Sequence, residues 1–359
     1  MLLARRESAI VSVVNQKGAA TVRELAGQFG VTEVTIRRDL KKLEQLRLLE
    51  RTHGGAVSLK ERSALGMLLA DTLAEPEESD DALILAPVPD RVAHTLREGA
   101  LRNRIPILAE SCPHPGTVYL GPNNFEASRA LGEWTGRFML KRADPRAAAH
   151  ILDITHAGLP NARERSTGFL QGIASVLPGA AEVFSIDGKG LYNDALQVAR
   201  DALVIHPEIN VIFGVNDDSV LAGIQAYLDL GRDPDRLIAV NVGGEGKTLF
   251  DALSGGGALS ACAALFPELV GRLGIDAILR LWHGDALGEA VVTPHAILTR
   301  DNLDTYYRRC GREWNLIPER IGDLLAPEWL LPHPEGVGRT ICFVILYRTH
   351  EWYQNVARA

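Results

Sequence analysis

The sequence is poor in cysteine and has no long apolar run. Four cysteines occur in 359 residues, at Cys112, Cys262, Cys310 and Cys342. They are far apart and form no CxxC or Cys/His spacing, so we expect reduced thiols and no metal site. No window approaches the roughly 18 apolar residues of a membrane span, and the opening MLLARRE is not an export signal. These absences predict a cytoplasmic protein without a membrane partner.

Signatures of nucleotide-dependent catalysis are missing too. There is no P-loop, and no GxGxxG follows a strand; GGEGKT at residues 243–248 lacks the GxxxxGK spacing. His150, His156 and His206 are scattered, and no histidine–carboxylate group is recognisable as a catalytic base. We therefore expect neither catalysis nor a cofactor.

Charge is unevenly distributed along the chain. Residues 1–62 hold 12 Lys/Arg and 7 Asp/Glu, a net charge of +5. The remaining 26 basic and 38 acidic residues give −12, for a total of −7. A basic head on an acidic body suits a head that meets phosphates and a body that does not.

The head contains two short amphipathic helices. Thr21 and Glu24 have the spacing of a capping box, and an apolar stripe then predicts a helix that ends near Gly30. Thr32 caps a second helix, which buries Ile36, Leu40 and Leu43 and turns cationic side chains outward. Helix, glycine turn and cationic helix form the helix-turn-helix pattern.

The residue sequence of this region is more specific than the general helix-turn-helix pattern. FGVTEVTIRRDLKKLEQLRLLERTHGGAV resembles the winged helix-turn-helix of the DeoR family of bacterial transcription regulators, over residues 1–57. Residues 48–52 and the stretch from Ala56 would be the two strands of the wing, with residues 53–55 as its tip. The resemblance implies operator DNA as a partner. The candidate DNA-binding residues are Thr32, Val34, Thr35, Arg37, Arg38, Lys41, Lys42, Arg51 and His53.

From Ala82 onward, short apolar runs alternate with helical periods. This alternation predicts a parallel, doubly wound α/β architecture. IPILAES, VYLGPNNFEASRALGEW, ARERSTGFLQGI, INVIFGVNDDSVLAGIQAY and TPHAILTRDNLD resemble the type I periplasmic sugar-binding proteins and the sensor domains of LacI-type regulators. The resemblance implies two lobes over residues 83–308 that hold a ligand between them. The three crossings between the lobes would fall near residues 122–123, 237–243 and 265–267.

Position by position, the resemblance assigns pocket residues. These are Glu110, Asn123, Arg163 and Asn216, whose side chains suit sugar hydroxyls. Arg163 could instead lie on a solvated helix face, and Asn216 could simply cap a helix. Three positions depart from the family pattern. Ser111 stands where an arginine is common, Gly243 where an aspartate is common, and Leu265 where a glutamine is common. Glu245 could supply the missing carboxylate or could be a surface residue that opens a helix.

The two ends of the chain are unusual for this fold. A complete fold of this type begins with a strand and a helix before ALILAPV, and residues 58–82, a linker with a helix, are too short to hold strand, helix, strand and helix. RTICFVILYRTHEWYQNVARA, residues 339–359, has the pattern of that missing opening, after a connecting strap at 309–338. The sensor would then be circularly permuted, with His350, Trp352 and Tyr353 at the ligand. The alternative is a second sensor copy that is cut short.

These features together predict a transcription regulator whose operator affinity depends on a small effector, a sugar. A homodimer or tetramer is expected, because paired heads read a two-fold operator. The competing hypothesis is a DeoR-like head fused to an enzyme that processes a sugar or phosphosugar.

Overall fold

The fold is taken from a computed structural model. It describes residues 6, 9–11, 13–14, 19–45, 49–52, 55–57, 81–88, 90–142, 148–179, 181–311, 313–325, 329, 339–345 and 350–358. The chain divides into two units, Met1–Ala74 and Glu75–Ala359, and each is described by itself. The predicted linker falls almost entirely outside the described residues. Among the described residues, no helix combines the length and hydropathy needed to cross a membrane.

The first unit is a small helical domain with a three-stranded antiparallel sheet. Its elements are β1 (Ala19–Thr21), α1 (Val22–Phe29), α2 (Glu33–Gln45), β2 (Glu50–Thr52) and β3 (Gly55–Val57). The strand order is β1-β3-β2, and residues 6, 9–11 and 13–14 are also helical. The buried core contains Ile10, Leu25, Ile36, Leu40 and Leu43, the spacing expected from the sequence.

Local signals account for most of this unit. Thr21 Oγ1 accepts a hydrogen bond from the Glu24 backbone N–H at 3.2 Å, and Glu24 Oε2 accepts one from the Thr21 N–H at 2.8 Å. The predicted capping box is therefore confirmed. Gly30 ends α1 at φ +63°, a left-handed conformation that glycine adopts without strain. Strand β1 was not anticipated, because two alanines before a helix cap carry no strand signal.

The second unit contains two sheets. Its strands are β4 (Ala82–Leu85), β5 (Ile107–Glu110), β6 (Val118–Pro122), β7 (Ala149–Thr155), β8 (Ala181–Asp187), β9 (Val211–Gly214), β10 (Ile238–Gly243), β11 (Leu259–Ala264), β12 (Ala290–Thr293), β13 (Ala296–Leu298), β14 (Tyr307–Cys310), β15 (Glu313–Leu316) and β16 (Ile341–Val344). Its helices are α3 (Asp90–Arg102), α4 (Asn124–Arg142), α5 (Pro160–Val176), α6 (Tyr192–Ile205), α7 (Asp217–Asp229), α8 (Lys247–Gly255), α9 (Pro267–His283), α10 (Leu303–Tyr306), α11 (Pro318–Leu324) and α12 (Glu351–Arg358).

Each sheet is the centre of one lobe. The first has the order β12-β6-β5-β4-β16 and is entirely parallel. The second has the order β13-β11-β10-β9-β7-β8, in which only β13 is antiparallel. This is the predicted two-lobed, doubly wound α/β architecture. Strand β8 departs from the expected apolar run, since most of its residues are exposed at the sheet edge.

The described strands show three points at which the chain crosses between the lobes, and a fourth crossing follows β13, because β16 belongs to the first sheet again. It leaves the first sheet after Pro122, because α4 packs on the second sheet, and it returns at residues 265–266 ahead of α9. The third crossing is at residues 294–295, between β12 and β13. The predicted crossing at 237–243 is wrong. Those residues form β10, which is buried between β9 and β11 inside one sheet.

The C-terminal segment adds a strand and a helix to the first lobe. Strand β16 pairs in parallel with β4 in the register Ile341 to Ala82 through Val344 to Leu85. Helix α12 packs against α9 and buries Trp352 and Val356. The described part of the predicted strap is not an extended connection. It forms the β14–β15 hairpin and α11, and Trp314 Nε1 donates a hydrogen bond to Asp251 Oδ1 at 2.9 Å.

Candidate functional site

The first candidate surface is the outer face of α2. Val34 is 72% exposed, and Arg37, Arg38, Lys41 and Lys42 are exposed as well. The opposite face of the helix is buried in the head, so this cationic face is turned to solvent. Cationic side chains around an exposed apolar residue suit phosphates and thymine methyl groups in a DNA groove.

Contacts within the head hold this helix. Asp39, the fifth residue of the TIRRDL motif, is buried and accepts a hydrogen bond from Arg6 Nε at 2.7 Å, so it has a structural role. Thr32 Oγ1 accepts from the Thr35 N–H at 3.2 Å and caps the helix as predicted. The side chain of Arg51 and the whole of His53 lie outside what the structure describes.

The second candidate site is a cavity between the two lobes of the second unit. Its volume is about 90 Å³, several times the ~10–15 Å³ that one water molecule needs, so it has room for a small ligand. Both sheets contribute to its wall at the carboxyl ends of their strands, where open α/β sheets usually bind ligands. The polar and aromatic wall residues are Glu110, Ser111, His156, Asn161, Arg165, Asn216, Glu245, His350, Trp352 and Tyr353.

Glu110 supplies a fully buried carboxyl group from the end of β5. Its Oε1 accepts hydrogen bonds from the Ser111 hydroxyl and, at 3.0 Å, from Trp352 Nε1. Its Oε2 has no hydrogen-bond partner among the described residues. Burial raises the pKa of Glu110 from 4.5 to about 7, against the opposing effects of these donors and of Arg165 and His350.

Arg165 supplies the guanidinium of the cavity from α5. It is 8% exposed, and burial lowers its pKa. Its Nε donates to Asn124 Oδ1 at 2.7 Å, and its Nη1 donates to the Val215 carbonyl at 2.8 Å. These bonds connect α5 to α4 and to the end of β9, so the guanidinium is held in place without a ligand.

Glu245 supplies a second buried carboxylate, although the sequence also allowed it to be a surface residue. It is 5% exposed, precedes α8, and lies 3.4 Å from His350 Nδ1 through Oε2. Asp217 fixes its backbone, since Asp217 Oδ2 accepts from the Glu245 N–H at 2.8 Å. A Cβ atom at Gly243 would lie 2.4 Å from Asp217 Oδ1, so the aspartate common at this position does not fit.

Asn216 and two further polar residues complete the second lobe's side of the cavity. Asn216 caps α7 through a hydrogen bond from the Ser219 N–H at 2.9 Å, and its Nδ2 donates to the Gly190 carbonyl at 2.9 Å. It therefore both caps a helix and lines the cavity, so the two interpretations of this residue are compatible. Burial lowers the pKa of His156, which lines the cavity beside Asn161.

The structure brings five of the seven predicted pocket residues to the cavity and leaves two outside. Glu110, Asn216, His350, Trp352 and Tyr353 line it. Asn123 is exposed and accepts from the Glu126 N–H at 3.0 Å, which makes it a helix cap. Arg163 is also exposed and donates to the Ala157 carbonyl at 2.8 Å. The structure therefore places Asn123 and Arg163 outside the cavity wall, which contains Arg165 instead. Asn124 is not part of the wall, but it accepts a hydrogen bond from Arg165 and so helps to position it.

A helix-face argument would have found Arg165. Ala162, Phe169 and Ile173 form the buried stripe of α5, and at about 100° per residue Arg165 falls on that stripe while Arg163 points away. The resemblance to the family, taken alone, favoured Arg163, the first arginine of ARER, as the pocket residue. Glu245 had no such local signal, because its burial depends on Asp217 and His350, which are distant in sequence.

Comparison with known proteins agrees with this architecture. Residues 80–286 match the family model of the periplasmic binding protein domain, and residues 6–62 match that of the DeoR-like helix-turn-helix domain. The chain therefore belongs to the periplasmic binding protein domain family, with a DeoR-like DNA-binding domain at its N-terminus.

Three relatives illustrate the two parts. YulB, an uncharacterized HTH-type transcriptional regulator of Bacillus subtilis, is 50% identical over 64 residues, 18% of this chain and 25% of YulB. The ribose import binding protein RbsB of Bacillus subtilis is 25% identical over 234 residues, 62% of this chain and 70% of RbsB. The fold is similar to a solute binding protein of Actinobacillus succinogenes with bound D-allose, with a TM-score of 0.57 and 16% identity over 70% of this chain and 87% of that one. The chain spans about a quarter of the length of the first curated regulators that it matches.

Proposed function

We propose that this protein is a transcription regulator whose affinity for operator DNA is set by a sugar bound in the cavity. The observation that carries this proposal is the presence, in one chain, of an exposed cationic recognition helix and a cavity walled by buried polar side chains. Buried polar groups discriminate between sugars, because each one left unpaired costs roughly 1–3 kcal/mol. The direct test is an operator-binding assay with and without a sugar that raises the melting temperature.

The ligand would act by a population shift between arrangements of the two lobes. The size of such a shift is limited by the ligand's differential affinity for the two arrangements. A homodimer or tetramer fits this role, because a two-fold operator is read by paired heads. Candidate contacts to DNA are the α2 residues together with Arg51 and His53 of the wing.

The competing function, an enzyme that processes the sugar, has less support. The second unit is of a binding-protein type, and Arg165 and Asn216 already have protein partners that hold them in place. We expect incubation to return a bound sugar chemically unchanged. Detection of a new product by mass spectrometry, dependent on the protein, would move it to the enzyme class.

The double substitution Arg37→Ala, Arg38→Ala should abolish specific DNA binding. Arg38→Ala alone should cost roughly 1–3 kcal/mol, because it removes a cation from a base-reading face. Binding is measured by electrophoretic shift on an operator selected from random duplexes. Arg23→Ala, which removes an exposed cation from α1, is the matched control and should bind normally. Unchanged binding by the double variant would contradict the assignment of α2.

Arg165→Ala should abolish the stabilisation by a sugar, whereas Arg163→Ala should keep it. Only Arg165 presents its guanidinium to the cavity, while Arg163 is bonded at the surface. The readout is the shift in melting temperature produced by neutral monosaccharides, including D-ribose and D-allose. Operator binding by both variants controls for folding of the head. A normal shift in Arg165→Ala, or its loss in Arg163→Ala, would refute this assignment.

A further inference from the structure

The cavity wall carries an excess of negative charge. Its ionisable side chains, apart from the histidines, are the carboxyl groups of Glu110 and Glu245 and the guanidinium of Arg165. With neutral histidines their net charge is −1 once Glu110 is ionised, above its pKa of about 7. All three residues are buried, at 0%, 5% and 8% exposed. Arg165 already uses Nε and Nη1 on Asn124 and on the Val215 carbonyl, so much of its donor capacity is committed within the protein.

One carboxylate oxygen in the wall lacks a donor. Both donors to Glu110, the Ser111 hydroxyl and the Trp352 indole N–H, go to Oε1. Oε2 is buried, and within the described parts of the chain nothing donates to it. When Glu110 is ionised, Oε2 is a buried acceptor without a donor, so a ligand that donates at this point gains a hydrogen bond that the protein does not supply. A cationic donor also favours this ionised form over the protonated one.

The second carboxylate, that of Glu245, favours a ligand whose hydrogen-bond donor is positively charged. Glu245 is held at the cavity by its backbone bond to Asp217, which is itself a buried carboxylate. Its neighbours include the imidazole of His350 and the guanidinium of Arg165. A cation placed in this cavity interacts favourably with Glu110 and Glu245 at once, in surroundings of low dielectric.

We propose that the effector is a sugar that carries a protonated amine, with its ammonium group bound by Glu110 and Glu245 and its ring beside Trp352 and Tyr353. This inference rests on the proposed function, in which the cavity binds a sugar. An ammonium group offers three N–H donors and no acceptor, which matches carboxylate oxygens. A phosphate group would bring like charge to both carboxylates. A neutral hydroxyl would satisfy Oε2 but leave the excess charge uncompensated.

The test compares matched sugars on the full chain by calorimetry and thermal shift. D-Glucosamine, D-galactosamine and D-mannosamine are each paired with D-glucose, D-galactose and D-mannose, and D-glucose 6-phosphate is the anionic member. At least one amine should bind at least tenfold more tightly than its parent, a difference of 1.4 kcal/mol, and the phosphate should not bind measurably. Parent sugars that bind as tightly as the amines would overturn this inference and leave the sugar-sensor function standing. Failure of every sugar to bind would overturn both.

Substitution of the carboxylates locates the amine. Glu110→Gln and Glu245→Gln keep the side-chain shape and remove the charge, so each should lower the tenfold preference for the amine towards one. Glu182→Gln, at an exposed carboxylate on β8, is the matched control and should keep the preference. A preference unchanged in both cavity variants would also overturn the inference. If one of these variants fails to fold, the comparison of amino sugars with their parent sugars on the unaltered chain still tests the inference.

Discussion

Deletion of residues 339–359 should abolish the response to ligand and lower the melting temperature of the second unit by on the order of 10 °C. Strand β16 satisfies the backbone groups along one edge of β4, and α12 buries Trp352, at 6% exposed, and Val356, at 5%. Loss of a buried tryptophan alone typically costs about 3–5 kcal/mol. In a unit of this size each kcal/mol lowers the melting temperature by roughly 2–4 °C.

Point substitutions separate stability from recognition. Trp352→Ala should lower stability by about 3–5 kcal/mol, because it leaves a void beside Glu110 where a buried indole now packs. Trp352→Phe keeps much of the packing but removes the N–H that donates to Glu110 Oε1. It should therefore lower the affinity for ligand by more than it lowers the free energy of unfolding. Arg358→Ala, at the exposed end of α12, is the control. If the shortened chain melts as before and still responds to ligand, the segment is not part of the sensor, and the truncated second copy becomes the better account.

Glu110→Gln should make the protein more stable at pH 8 while weakening its response to ligand. The folded-state pKa of Glu110 is about 7, above its ordinary value of 4.5. Its contribution to stability is therefore fully present below pH 4.5 and is lost as the pH rises through 7. At 1.36 kcal/mol per pKa unit, the loss is about 3 kcal/mol. The amide cannot ionise, so the variant escapes this loss.

Denaturant unfolding at pH 5 and pH 8 measures the effect. The free energy of unfolding of the unaltered protein should fall more between pH 5 and pH 8 than that of Glu110→Gln. Because each protein is compared with itself at the two pH values, any effect of the amide that does not depend on pH cancels. Glu182→Gln serves again as the control, because its carboxylate is exposed and should give a profile parallel to that of the unaltered protein. Parallel profiles for Glu110→Gln would mean that Glu110 is not buried in the charged form.

Features that depend on neighbours in sequence were predictable. The cap at Thr21, the turn at Gly30 and the inward residues of α2 depend on contacts within a few positions. The pairing of β16 with β4 was also accessible, since an interior apolar strand needs a neighbour on each side and the C-terminal segment was the available one.

Features that depend on distant contacts were not predictable. The burial of Glu245 requires Asp217 to bind its backbone, and the identity of the cavity guanidinium requires knowledge of which face of α5 is buried. The third crossing was hidden within AVVTPHAILT, an apolar run that reads as one strand. The structure divides it between two sheets. Local periodicity cannot show which sheet a strand joins.

The pairing of β16 with β4 also has a consequence for biosynthesis. At this sheet the Asp81 N–H donates to the Thr340 carbonyl and the Thr340 N–H donates to the Asp81 carboxylate, so these bonds join residues 259 positions apart. At about 5–20 residues per second, the ribosome makes the second partner on the order of ten to fifty seconds after the first. During this interval the head can fold, while β4 presents an apolar, unpaired edge to the solvent. A nascent chain can thus acquire its DNA-binding domain well before the binding cavity is complete, and the waiting edge is a natural target for chaperones.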